Sequence, residues 1–138
     1  MNAKQFLSQA FNLTRLIKSY EKELEELKAL EPYISSPNYS GMPFSGTRNP
    51  EPPFVRAIHK KVNLESKIEK KIEDLIDVRV QIHDAIEAVS DDTHRLVLRL
   101  RYIDFLSWEE IASKMNYSEV HIHRLHNAAL NFVTVPET

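Results

Sequence analysis

No cysteine occurs among the 138 residues, which excludes disulfides, zinc knuckles and a thiol nucleophile. Glycine is nearly as scarce, with two residues, and no Gly-rich phosphate loop is present. HExxH, nucleophile-elbow and paired-carboxylate motifs are also missing. The acids scatter along helix faces, where solvation accounts for them, so neither an enzyme nor a cofactor is expected. There is no long uncharged apolar run. The opening stretch, MNAKQFLSQAFNLTRLIKSYEKEL, is therefore expected to be neither a signal peptide nor a membrane span. A cytoplasmic protein with no membrane partner is the expectation. An excess of positive charge is lacking as well. Lys and Arg number 18 against 20 Asp and Glu, a net charge of −2. Nucleic-acid binders are usually basic, so DNA contact here has to rest on local charge.

Proline is confined. Six of the seven prolines and both glycines lie in residues 32–53, PYISSPNYSGMPFSGTRNPEPP. Proline has no amide donor and clashes in a helix interior, so this segment is expected to be a mobile linker. The long stretches on either side contain neither residue, which predicts an almost wholly helical chain. The expected division is an amphipathic helix over 1–31, the linker over 32–53, a long second helix over 54–89 and a compact module over 90–135.

Apolar spacing supports the two long helices. Phe6, Ala10, Leu13, Ile17, Tyr20, Leu24 and Leu27 alternate steps of four and three, as in a coiled-coil seam. A second seam runs through Leu64, Ile68, Lys71, Leu75, Val78, Ile82, Ala85 and Val89, and Ile72, Ile76 and Ile86 are expected to widen it. An isolated amphipathic helix is only marginally stable. The two seams must therefore pair, either as an antiparallel hairpin within one chain or between chains in a homodimer or higher oligomer. The fold class expected is all-α, with such coiled-coil helices preceding a three-helix module.

In that module Ser90 is a candidate N-cap for a helix carrying Leu96, Val97, Leu100 and Ile103. Ser107, with Glu110 three residues later, makes a capping box for the short helix WEEIASKM. Asn116 stands at the following break, and Asn tolerates the left-handed conformation. Ser118 caps a last helix expected to reach Phe132, with Ile122, Leu125 and Ala129 as its buried line. Ile111, Met115 and Tyr117 are expected to close the core behind the turn. Two helices joined by such a tight turn form a helix-turn-helix pattern.

RLVLRLRYIDFLSWEEIASKMNYSEVHIHRLHNAAL, residues 95–130, resembles region four of bacterial sigma factors. Leu100-Arg101-Tyr102 and Ser107-Trp108-Glu109-Glu110-Ile111-Ala112 carry the likeness. The promoter-melting regions of a full sigma factor are missing. With the helical first half and the proline-rich interruption, the layout is similar to ArpU- and RinA-like regulators of phages and prophages. That resemblance implies a regulator, associated with late-gene control, that binds double-stranded DNA and has RNA polymerase as a second candidate partner.

Helical geometry sorts the last helix. With Ile122, Leu125 and Ala129 buried, the opposite face is Val120, His123, Arg124 and Asn127, with His121 on a flank and His126 nearer the packed side. Ser118 and Glu119 lie at its start, where reading helices often meet base edges. Arg124 can bind guanine or phosphate, Asn127 can pair with adenine, Val120 can touch a thymine methyl, and Glu119 can accept from cytosine N4. Phosphate contacts are sought in Lys114, Arg95, Arg99 and Arg101, the last alternatively a structural ion-pair partner. An imidazole beside a phosphate is favoured in its charged form, so His121 and His123 are expected to strengthen binding as pH falls. His123 and His126 have helical spacing for a shared ligand, but two histidines without cysteine or a suitable carboxylate make a poor zinc site. Two further function classes remain open: a small terminase-like packaging subunit, and a module that contacts RNA polymerase without reading DNA.

Overall fold

The computed structural model describes residues 1–34 and 52–137. These residues form five α-helices: α1 (Ala3–Ile34), α2 (Pro53–Glu87), α3 (Asp92–Tyr102), α4 (Trp108–Met115) and α5 (Glu119–Leu130). The chain is all-α. Pro32 lies inside α1. In the last turn a proline costs a single backbone bond, so the helix carries on past it. Pro53 opens α2, where a missing amide donor costs nothing. The expected linker therefore gives its first three residues to α1 and its last to α2. Residues 35–51, the remainder of that expectation, lie outside the described residues.

The chain divides into two compact units: Met1–Arg15 with Glu73–Thr138, and Leu16–Ile72. The first unit holds the main core. Phe6, Leu7 and Ala10 from α1 pack with Ile82 and Ile86 from α2, with Val89 between α2 and α3, with Leu98 and Tyr102 from α3, and with Ala129 from α5. The start of α1 is thus built into the same core as α3 and α5, a long-range contact that the division at residue 90 omits. In the second unit Ile17 and Leu64 are buried. There Lys60 pairs with Glu23 and Lys61 with Glu31, each at 3.4 Å. In both units the two long helices associate within a single chain.

Every seam position expected from the sequence is buried or half-buried, including Lys71. Of the three residues expected to widen the second seam, Ile86 is fully buried, whereas Ile72 and Ile76 are exposed. The stripe is narrower than the apolar content of α2 suggests, because one partner helix covers only a limited arc.

The module has two local differences from expectation. Asp91, not Ser90, caps α3, and its carboxylate accepts from the His94 amide. That interaction holds the Asp91 carboxyl below its usual range. In α3 the buried residues are Val97, Leu98 and Tyr102, while Leu96 is exposed. Leu98 points into the core shared with α1 and α2, which is why a reading confined to residues 90–135 passes over it.

Candidate nucleic-acid interface

α4 and α5 meet through a turn specified residue by residue. Ser107 accepts from the Glu110 amide, and the Glu110 side chain accepts from the Ser107 amide, which completes the capping box. Asn116 adopts φ 58° and ψ 41°, the left-handed region. The Tyr117 amide then donates to the Ala112 carbonyl at 3.1 Å, ending α4 in a Schellman-type bond. Ser118 caps α5 by accepting from the His121 amide at 3.1 Å. α5 ends at Leu130, with Asn131 as its C-cap, two residues before the expected Phe132. Phe132 is instead exposed and stacks on His94.

Behind the turn, Ile111, Ala112 and Ile122 are buried, with Met115, Trp108 and Leu125 packed around them. Tyr117 is not in this core. It is exposed and meets the His121 ring edge-on, with centroids 4.6 Å apart. α5 is therefore held by α3 and α4 on one side only.

All of the residues expected to face a ligand are exposed: Lys114, Ser118, Glu119, Val120, His121, His123, Arg124 and Asn127. Val120 is an apolar side chain with 63% of its surface open to solvent. His123 lies against Trp108, with centroids 4.5 Å apart.

His126 belongs to the other side of the helix. It is 2% exposed, and its Nε2 lies 2.6 Å from the Tyr102 hydroxyl. Burial, with the nearby charge of Lys4, Arg101 and His123, lowers its pKa to about 4. Burial raises that of Tyr102 to about 12. Both groups are neutral near pH 7, so the ring and the hydroxyl share one hydrogen bond whose direction is set by the imidazole tautomer. This pairing makes His126 a buried hydrogen-bond partner of Tyr102 in the core. Among the described residues no cluster of three or more His, Asp or Glu could hold a metal ion.

The three arginines expected to supply phosphate contacts are engaged by the fold. Arg95 donates through Nε and Nη2 to the Val89 carbonyl, at 3.0 and 2.7 Å, and pairs with Asp92. Arg99 pairs with Glu87 at 2.7 Å. Arg101 donates to the Leu106 carbonyl at 3.0 Å and lies over the Trp108 ring, 4.2 Å from its centroid. Its structural contacts thus run through a carbonyl and an indole instead of the expected ion pair. Apart from the i,i+3 pair of Arg95 with Asp92, these uses follow from tertiary geometry and leave no local signal in the sequence.

A family model for proteins of unknown function matches residues 34–133, the end of α1 and all of α2 to α5. The chain belongs to the DUF1492 family. No curated protein and no solved structure matches it. Among the described residues of this DUF1492 protein, no helix is long and apolar enough to cross a membrane.

Proposed function

We propose that this DUF1492 protein is a sequence-specific, double-stranded-DNA-binding transcriptional regulator with α5 as its reading helix. The observation that carries this reading is the open face of α5. Glu119, Val120, His123, Arg124 and Asn127 all project into solvent from a helix fixed by a capped, left-handed turn. A helix-turn-helix offers its second helix to the major groove in this way. Arg124 is suited to guanine O6 and N7, Asn127 to adenine, Val120 to a thymine methyl and Glu119 to cytosine N4. Lys114 and Ser118 flank that face as phosphate contacts. The likeness of residues 95–130 to sigma region four supports the same reading. So does the layout shared with ArpU- and RinA-like phage regulators, which extends the proposal to late-gene activation in a cytoplasmic setting.

A second reading has an observation of its own. The unit that holds α5 carries eight Lys and Arg against twelve Asp and Glu, and Arg95, Arg99 and Arg101 are already engaged. That favours contact with RNA polymerase in place of DNA. Selection of bound duplexes from a random-sequence library separates the two. The DNA-reading proposal expects an enriched motif with wild-type protein. Absence of any motif, together with retention on immobilised RNA polymerase, would favour the second reading.

A further inference from the structure

The first turns of α1 present Lys4, Ser8, Phe11 and Arg15 at helical spacing, on one face. Lys4, Ser8 and Phe11 line a solvent-facing hollow of about 130 Å³, together with Arg101, Phe105 and Trp108. No carboxylate is among its described lining residues. Three arginines around it rest on aromatic rings. Arg101 lies over Trp108, Arg15 over Phe11 at 5.6 Å, and Arg79 over Phe105 at 5.9 Å, while Phe11 and Phe105 meet edge to face at 5.6 Å. Stacking of this kind holds a guanidinium in place while leaving N–H donors available for an anion. Arg101 commits one nitrogen to Leu106, and its planar fork has further donors.

The hollow adjoins the reading face. Trp108 forms one of its walls, and the same indole meets His123 of α5 at 4.5 Å. Trp108 is also the first residue of α4, the helix that crosses the sugar-phosphate backbone when a helix-turn-helix docks. The positive potential of Lys4, Arg101 and His123 also acts on His126, where burial is the larger influence.

We propose that the hollow bounded by Lys4, Ser8, Arg101 and Trp108 seats a backbone phosphate of bound duplex DNA, so that the start of α1 forms part of the DNA interface. This inference rests on the reading of α5 as the DNA-contacting helix. It answers the shortage of cations within residues 90–135, because Lys4 and Arg15 come from the far end of the chain. It also gives the packing of α1 into the module a functional consequence. The family match starts at residue 34, so these two residues lie outside it.

A phosphate contact is independent of sequence, so the test uses two labelled duplexes, one of random sequence and one from the selected pool. Affinity of the full chain is measured against salt concentration. Lys4→Gln is expected to lower the slope of log affinity against log salt by about 0.9. It should weaken binding to both duplexes by the same factor, roughly three- to tenfold. Lys4→Arg is expected to retain the wild-type slope. Lys4 is exposed, so helical content and thermal unfolding should match wild type in both variants. Wild-type slope and affinity in Lys4→Gln, with lost sequence preference in Arg124→Ala, would overturn the phosphate seat and leave α5 as the reader. Weakened binding to the selected duplex alone would also overturn it, since a phosphate contact acts on both. If wild-type protein binds neither duplex, the phosphate seat and the reading of α5 fall together.

Discussion

The two compact units hold their helices by different means. In the unit of Met1–Arg15 and Glu73–Thr138, side chains from α1, α2, α3 and α5 converge on a core in which Leu7, Ile86 and Leu98 are wholly buried. In the unit of Leu16–Ile72, the buried apolar residues among those described are Ile17 and Leu64. Its cross-helix ion pairs have side chains between one-third and one-half exposed. Exposed pairs of this kind contribute little, because water screens them and two long side chains must be ordered. One unit is therefore a fixed platform for α5, and the other is a helix pair open to local unfolding. The packing is concentrated in the unit that carries α5, the helix proposed to read base edges.

The largest expected effect tests this contrast. Leu98→Ala removes a wholly buried side chain and should lower the unfolding free energy of the module by about 2–5 kcal/mol in urea titrations. Leu64→Ala should speed amide exchange across the second unit and leave the protection of α5 unchanged. Equal loss of protection in both units would show that they unfold as one, and the contrast would be broken.

Acid should act on the first unit through His126. Its folded pKa of about 4 lies below the unfolded value of 6.5. The unfolded state therefore gains a proton first. The contribution of neutral His126 is complete above pH 6.5 and is lost as pH falls towards 4. Between pH 6.5 and roughly 5 the loss should be about 2 kcal/mol. Denaturant titrations at the two pH values check this, and His126→Gln should flatten that part of the profile.

Smaller effects follow. Asn116→Ala places a β-carbon without a local polar partner in the left-handed region and should cost about 1 kcal/mol, whereas Asn116→Gly should be neutral or mildly stabilising. Lys60→Ala removes a half-exposed ion pair in the second unit and should change stability by less than about 1 kcal/mol. A larger loss there would mean that ion pairs contribute more to that unit than its exposure implies.

Features written in local spacing were legible in the sequence. The seam of α1 could be read because a helix repeats its faces whatever it packs against. The caps at Ser107 and Ser118 could be read because a side-chain oxygen meets an amide three residues away. The open face of α5 followed from placing Ile122 and Ala129 inside. Choices made by tertiary packing were not legible. Ser90 and Asp91 are both good caps, and the approach of α3 to the core decides between them. Ile76 and Ile86 look alike in the pattern, but only Ile86 meets a partner surface. Leu98 and Tyr102 face α1, about ninety residues away in the chain, and nothing near residue 98 announces that neighbour. The same distance hid the grouping of Lys4 with Arg101 and Trp108.

The central claim is that α5 reads base edges, and its most direct test is the specificity ratio of wild-type protein and of Arg124→Ala. Affinity is measured for the selected duplex and for a random one at the same salt concentration. Wild-type protein should prefer the selected duplex by at least about a thousandfold. Arg124→Ala should lose about 1–3 kcal/mol on the selected duplex and much less on the random one, so that the ratio falls. An unchanged ratio in Arg124→Ala, or a wild-type protein that binds both duplexes alike, would contradict the account.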